Sequence, residues 1–292
     1  IGTIIGTPPN GYLVGFVRDT YGQEIGFLQW MAVGYPVVLV FLPITWWLLT
    51  RVLHPVPRAS PPGAADLIAG ELARLGRASR GEWATFVVFS AAVLGWTTRP
   101  LLEPFVPGLS DAGIAITAGV ALFLVPVDLS RRVFVIDWPT ARRMPWGVLL
   151  LLGGGISLAQ AVDANGVAAF IGSQTQRFGG MPPLVLTLAV TTGMIFLTEL
   201  TSNAATAATI VPILAALAPG LGMQPYELIV PATLAASCAF MLPVATPPNA
   251  ILFGSGHITI PQMCRAGLGL NLIGIVVITA VAYFVALPLL GV

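Results

Sequence analysis

Seven apolar stretches, at about 27–50, 83–102, 112–127, 146–171, 182–218, 227–256 and 266–291, make up most of this chain and decide what it can fold into. The hydrocarbon core of a bilayer, about 30 Å thick, takes roughly 20 consecutive apolar residues of helix to cross. Inside it the backbone has no water to bind, so a crossing segment closes its own hydrogen bonds as a helix. Only 9% of the 292 residues are charged, against roughly a quarter in a soluble domain, and those charges gather between the apolar stretches. The reading is an all-α integral membrane protein with the lipid bilayer as its main solvent and no nucleic acid as partner. All thirteen basic residues are Arg. With the abundant Ala, Gly and Pro, that is the residue usage of a GC-rich bacterial genome, so a multi-pass protein of a bacterial inner (plasma) membrane is expected.

The arginines also orient the spans. The stretches 51–82, 128–145 and 255–265 hold Arg51, Arg58, Arg74, Arg77, Arg80, Arg131, Arg132, Arg142, Arg143 and Arg265; the connections between them hold Arg18, Arg99 and Arg177. Basic residues collect on the cytoplasmic side, so the first set is expected inside. The run 182–218 is longer than one span and has a polar centre, Thr198-Glu199-Leu200-Thr201-Ser202-Asn203. A re-entrant hairpin that returns to the side it entered from accounts for both features, keeps Arg265 inside and places the C-terminus outside. Non-helical backbone at that depth needs protein or a polar cavity around it. The run 112–127 is short for a span and is expected to borrow residues from its flanks. Ala64–Ser79, after Pro61 and Pro62, reads as a short helix with Leu67, Ile68, Leu72 and Leu75 on one face. It lies along the cytoplasmic interface or forms an ordinary solvated loop helix.

Gly6-Thr7-Pro8-Pro9-Asn10 recurs as Ala245-Thr246-Pro247-Pro248-Asn249, each copy embedded in apolar sequence. A double proline interrupts a transmembrane helix; Thr as N-cap and Pro at the first helical position start the next one. Each copy therefore reads as a discontinuous helix broken at mid-membrane, and paired breaks in two halves are the sequence pointer to a transporter binding site. The expected organisation is an inverted-repeat transporter with a re-entrant hairpin and broken helices. Residues 1–50 are then the end of a first repeat, 51–82 a cytoplasmic connector and 83–292 a second repeat. The chain opens at Ile1 within an apolar, Gly-rich phrase, without Met, signal peptide or basic leader. It is expected to be a piece whose earlier spans are missing.

Thr201-Ser202-Asn203 is the second polar constellation. Ser and Asn cap helix N-termini, and the free N–H groups of such a terminus favour an anion. Carbonyls of the unwound turn, with the Ser and Asn oxygens, offer hard ligands of the kind Na⁺ prefers. Alternatively, Ser202 and Asn203 merely cap a buried helix. Glu199, an ionisable group at depth, is a functional candidate by default. It orients the tip, titrates for proton coupling, or is simply bonded to local backbone. Gly153-Gly154-Gly155 lacks the Lys-Ser/Thr of a phosphate loop and reads as close helix packing. His54, His257, Cys238 and Cys264 lack metal-ligand or disulfide spacing.

The phrases Thr198-Glu199-Leu200-Thr201-Ser202-Asn203 and Pro243-Val244-Ala245-Thr246-Pro247-Pro248-Asn249 together resemble the divalent anion:sodium symporter family, the sodium-coupled di- and tricarboxylate carriers. The resemblance extends to Gly6–Asn10, Glu71–Gly76, Trp146–Gly155 and the last span. It implies two inverted repeats, a homodimer and an elevator-like movement of a transport domain. It implies Na⁺ as coupling ion and a succinate-like di- or tricarboxylate, or another divalent anion, as cargo. By matched position, Ser202 and Asn203 would contact both sodium and a substrate carboxylate. Ala245, Thr246 and Asn249 would complete that sodium site, and Thr246 and Pro247 would face the substrate. Gly6, Thr7 and Asn10 would be the equivalents for the other sodium, with Thr7 and Pro8 toward the substrate. Ala204 departs from the family pattern, which often has Thr there, and this bears on substrate identity.

Other functions fit less well. A sodium-independent anion exchanger or a sulfate-type oxyanion carrier is the nearest alternative. An intramembrane hydrolase using Ser202 would need a base within reach, and His54 and His257 belong near the cytoplasmic interface. A passive channel would need polar residues along several spans, whereas here they gather at two breaks and one tip.

Overall fold

The computed structural model describes residues 1–55, 63–144, 146–167, 170 and 180–290. Arg58, Arg177, Pro61, Pro62 and the end of the 146–171 run, all used in the sequence reading, lie outside the described residues. Two compact units emerge, Ile1–Pro55 with Trp146–Val292, and Val56–Pro145.

The regular secondary structure of the larger unit is all helix among its described residues. After a 3-10 turn at Ile4–Gly6 come α1 (Pro8–Tyr21) and α2 (Phe27–Trp47), the latter continuing through a π-turn to Leu53. Gly22, in the left-handed region at φ 67°, ends α1, as a residue without Cβ readily does. In the smaller unit are α3 (Ala64–Leu75), α4 (Arg80–Leu102), α5 (Asp111–Leu124), the two short antiparallel strands β1 (Pro126–Asp128) and β2 (Val133–Phe134), and α6 (Trp138–Ala141). The larger unit resumes with α7 (Trp146–Ala164), α8 (Pro183–Thr198), α9 (Asn203–Leu217), α10 (Pro225–Ala236) and α11 (Pro247–Gly254). Last comes α12 (Ile260–Val281), which runs on through a π-turn into α13 (Leu287–Leu290).

Among the described residues, four helices have the length and hydropathy to cross a membrane: Phe27–Leu53, Arg80–Leu102, Asn203–Leu221 and Ile260–Leu290. The 182–218 run is two helices joined by the turn Glu199–Ser202, the first arm of 16 residues. At about 1.5 Å per residue that arm is about 24 Å long, shorter than the hydrocarbon core. The 112–127 run does not borrow from its flanks: α5 stops at Leu124 because Val125 is already extended and the chain enters β1. The helix within the connector also stops early. Gly76 breaks it at φ 68°, ψ −154°, and Ser79 instead caps α4 in a reciprocal pair with Glu82. Leu67, Ile68, Leu72 and Leu75 are all exposed.

The centre of the larger unit is α10, with every residue from Leu228 to Ala236 buried. A helix apolar all round belongs inside other helices, and α10 packs against α1, α8, α9 and α12. Lipid is as apolar as Leu, so such association depends on small residues that permit close approach and on polar bonds. Ala204, Ala207, Ala208 and Ala215 of α9 and Ala232, Ala235 and Ala236 of α10 supply the first. Tyr12 supplies one of the second, its hydroxyl donating to the Ala208 carbonyl at 3.1 Å. Of the triple glycine only Gly155 acts in packing: a Cβ there would stand 2.9 Å from the Ala208 methyl, whereas Gly153 and Gly154 face open space.

Candidate solute and cation site

Both Thr-Pro-Pro-Asn copies start a helix, and both follow interrupted backbone. In the later copy α10 ends at Ala236, residues 237–246 are irregular, and α11 begins at Pro247 with Thr246 as N-cap. The Thr246 hydroxyl accepts from the Asn249 N–H at 3.4 Å. Asn249 Nδ2 reaches back across the break to the carbonyls of Ala239 and Leu242, at 2.9 and 3.0 Å. In the earlier copy Thr7 is the N-cap and Pro8 the first helical residue. Asn10 Nδ2 reaches back to the carbonyls of Ile1 and Thr3, at 3.0 and 2.7 Å. Each Asn is thus a carboxamide clamp on the unwound segment before it, satisfying carbonyls that a continuous helix would have satisfied.

A helix glycine then receives each break. A Cβ on Gly267 of α12 would collide with the Phe240 carbonyl and the Met241 Cα; one on Gly34 of α2 would lie 2.7 Å from the Ile1 carbonyl. Neither contact leaves room for any other residue.

The hairpin tip is fastened to the second break. Thr198, the last residue of α8 and fully buried, has its hydroxyl 2.7 Å from Asn203 Oδ1 and 2.8 Å from the Ala236 carbonyl. One proton serves two acceptors, so three oxygens converge where α8, α9 and α10 meet. Glu199, 3% exposed, accepts from the successive N–H groups of Phe240, Met241 and Leu242, at 2.7 to 3.1 Å. It also accepts from Asn271 Nδ2 of α12 at 2.8 Å. Successive backbone N–H groups of this kind form an anion cradle, and in this break the protein's own carboxylate fills it. Of the three readings open for Glu199, the geometry is that of a group bonded to backbone that orients the tip against the break.

The expected site residues fall into two sets. Asn203, Thr7, Asn10, Thr246 and Asn249 are tied by hydrogen bonds into the tip and the two turns. The link between the turns is a hydroxyl pair, Thr7 Oγ1 to Ser237 Oγ at 3.0 Å, and Ser237 directly follows Ala236. Ser202 is the N-cap of α9 as expected, but its side chain makes no capping bond; its carbonyl takes the Thr206 N–H at 2.8 Å. Pro8, Pro247, Gly6 and Ser202 are exposed and Ala245 is buried beside Thr246. Ala204 is buried within α9. The oxygens suit a hard cation: Asn10 is fully buried, and its Oδ1 has no hydrogen-bond partner among the described residues. No group of three or more His, Cys, Asp or Glu gathers among the described residues, and both cysteines are free thiols.

Ser237 and Asn271 join the site from outside the sequence motifs, and Thr198, the first residue of the polar centre, has a role the motif does not show. Asn271 had a signal, a lone carboxamide inside a long apolar run. Ser237 had none, because its role depends on Thr7, 230 residues away.

Membrane-length helices packed beside paired broken helices, with polar groups gathered at the breaks, are the architecture expected of a secondary transporter. The chain belongs to the family described as the sodium:sulfate symporter transmembrane region, which matches residues 1–291. It is similar to the sodium-dependent dicarboxylate transporter SdcS of Staphylococcus saprophyticus and to that of Staphylococcus aureus, at 42% identity over 296 residues in each case. All of this chain is matched, and it spans 57% of the length of those relatives. The family is one of transporters and not of enzymes, which ends the hydrolase reading of Ser202.

Proposed function

We propose that this chain works in a secondary active transporter that moves a dianionic dicarboxylate together with sodium. The observation that carries the reading is a pair of polar links meeting at the end of α10, Asn203 and the Ala236 carbonyl through Thr198, and Ser237 with Thr7, flanked by the Asn10 and Asn249 clamps. It gathers acceptor oxygens for a cation and hydroxyls for a carboxylate at one place, and the relatives are by name sodium-dependent dicarboxylate transporters. Ser202, Asn203, Ala245 and Asn249 form one sodium site in this reading, and Gly6 and Asn10 contribute to the other. Thr7, Pro8, Thr246, Pro247, Ser202 and Asn203 face the substrate, which extends to tricarboxylates.

The same reading makes Pro183–Leu217 a re-entrant hairpin, sets the Arg-rich stretches on the cytoplasmic side of a bacterial plasma membrane, and has the protein work as a homodimer with an elevator-type movement. The repeat boundaries at 50 and 82 belong to it as well. A second reading, carriage of sulfate or a similar oxyanion, is favoured by the family's description.

Uptake of radiolabelled succinate by the full-length protein in proteoliposomes, with an inward sodium gradient against a potassium control, tests the proposal. Sodium-dependent uptake weakened by both Ser202→Ala and Asn249→Ala supports it. Uptake indifferent to sodium replaces symport by exchange, and uptake of sulfate in place of succinate moves the protein to the second reading.

A further inference from the structure

The two Thr-Pro-Pro-Asn turns differ in how their threonine hydroxyl is held. Proline carries no N–H, so Pro8-Pro9 and Pro247-Pro248 remove the first two donors that a helix N-terminus would offer an anion. The threonine hydroxyl becomes the nearest donor at each turn. Thr246 accepts the Asn249 N–H, which occupies a lone pair, orients the hydroxyl and leaves its proton for a ligand. Thr7 makes no such cap bond, and the Asn10 N–H goes to the Thr7 carbonyl instead, at 3.1 Å. The partner of the Thr7 hydroxyl is Ser237 Oγ, 3.0 Å away and 230 residues further along the chain.

We infer that Ser237 is a positioning residue for anion binding: it donates to Thr7 and so does for that hydroxyl what the Asn249 N–H does for Thr246. With Ser237 as donor, Thr7 keeps its own proton for a carboxylate oxygen, and the two turns present matched donors to the two ends of a dianion. With the bond reversed, Thr7 would offer that carboxylate only lone pairs, and the Ser237 proton would be left over. Ser237 is half-buried at the C-terminal end of α10 and acts through Thr7, not on the substrate. This assignment rests on the proposed carriage of a dicarboxylate.

The test is succinate kinetics of the full-length protein in proteoliposomes for wild type, Ser237→Ala, Ser237→Thr, Thr7→Ala and the double variant, with thermal melting of each in detergent. The expected result for Ser237→Ala is a KM for succinate raised roughly three- to tenfold, the worth of one neutral hydrogen bond. Its effect on maximal rate and on sodium half-saturation should be smaller. Ser237→Thr, which keeps the hydroxyl, should restore KM, and adding Ser237→Ala to Thr7→Ala should raise KM no further. An unchanged KM in Ser237→Ala overturns the inference and leaves the proposed function standing. So does a loss shared equally by rate and melting temperature that Ser237→Thr fails to restore. Wild-type protein that takes up no succinate overturns the functional reading and this inference with it.

Discussion

The two broken helices share the four residues Thr-Pro-Pro-Asn and the same local mechanics, yet their described surroundings differ. Each has an Asn clamping two carbonyls behind it and a glycine of the following long helix pressed against its unwound backbone. At the second break, among the described residues, a carboxylate fills the N–H cradle: Glu199 binds Phe240, Met241 and Leu242 and is itself held by Asn271. The first turn is the more deeply buried, with Pro9 and Asn10 enclosed, whereas Pro248 is exposed and Asn249 half-buried. The repeated residues therefore fix a turn, and the surrounding helices determine how firmly it is held and by what.

Removing the anchor tests that difference most severely. Glu199→Ala leaves three backbone N–H groups and the Asn271 amide without an acceptor, at about 1–3 kcal/mol for each that stays unsatisfied. The expected outcome is a large drop in melting temperature in detergent and loss of sodium-driven uptake. Glu199→Gln keeps an acceptor oxygen and should lose less. Wild-type melting and uptake in Glu199→Ala would mean that the cradle is held by something other than the carboxylate.

The next test probes what the turns share. Gly267→Ala and Gly34→Ala each drive a methyl into the backbone of one break, and forced overpacking costs about 1–3 kcal/mol. Both variants should melt earlier and transport less, Gly267→Ala the more so because its contact is closer. A Gly267→Ala protein equal to wild type would show that the second break has slack.

The smallest expected effect is that of Asn271→Ala. It removes one of four donors to Glu199, and polar bonds between helices in lipid are worth about 0.6 kcal/mol on average. Melting should fall slightly and uptake should persist. A loss as large as that of Glu199→Ala would make the last span, and not the break, the principal support of the carboxylate.

Much of the local structure was legible in the sequence, because its causes are local. Apolar length gave the helices, proline after threonine gave the starts of α1 and α11, and the polar centre at 198–203 gave the turn between α8 and α9. The misjudged boundaries were local too. Gly76 ends α3 before Ser79, and Val125 turns the chain into β1 where an apolar run had promised more helix. In the candidate site the polar residues Asn203, Thr246, Asn249, Thr7 and Asn10 were legible by type, but not their hydrogen-bond partners. The amide nitrogens of Asn10 and Asn249 bind backbone carbonyls, which leaves their side-chain oxygens as the groups a cation would use; Asn10 Oδ1 is buried with no hydrogen-bond partner among the described residues.

The sequence by itself thus determined a helical membrane protein with two proline-marked breaks and a polar tip, since hydropathy, proline and capping act over a few residues. Only the tertiary structure decided that Glu199 fills the cradle of the second break, that Gly34 and Gly267 admit the two breaks, and that Thr7 pairs with Ser237. Those contacts join residues far apart in the chain. In a medium where apolar burial discriminates little between partners, close approach and hydrogen-bond completion select them, and both exist only once the helices are packed.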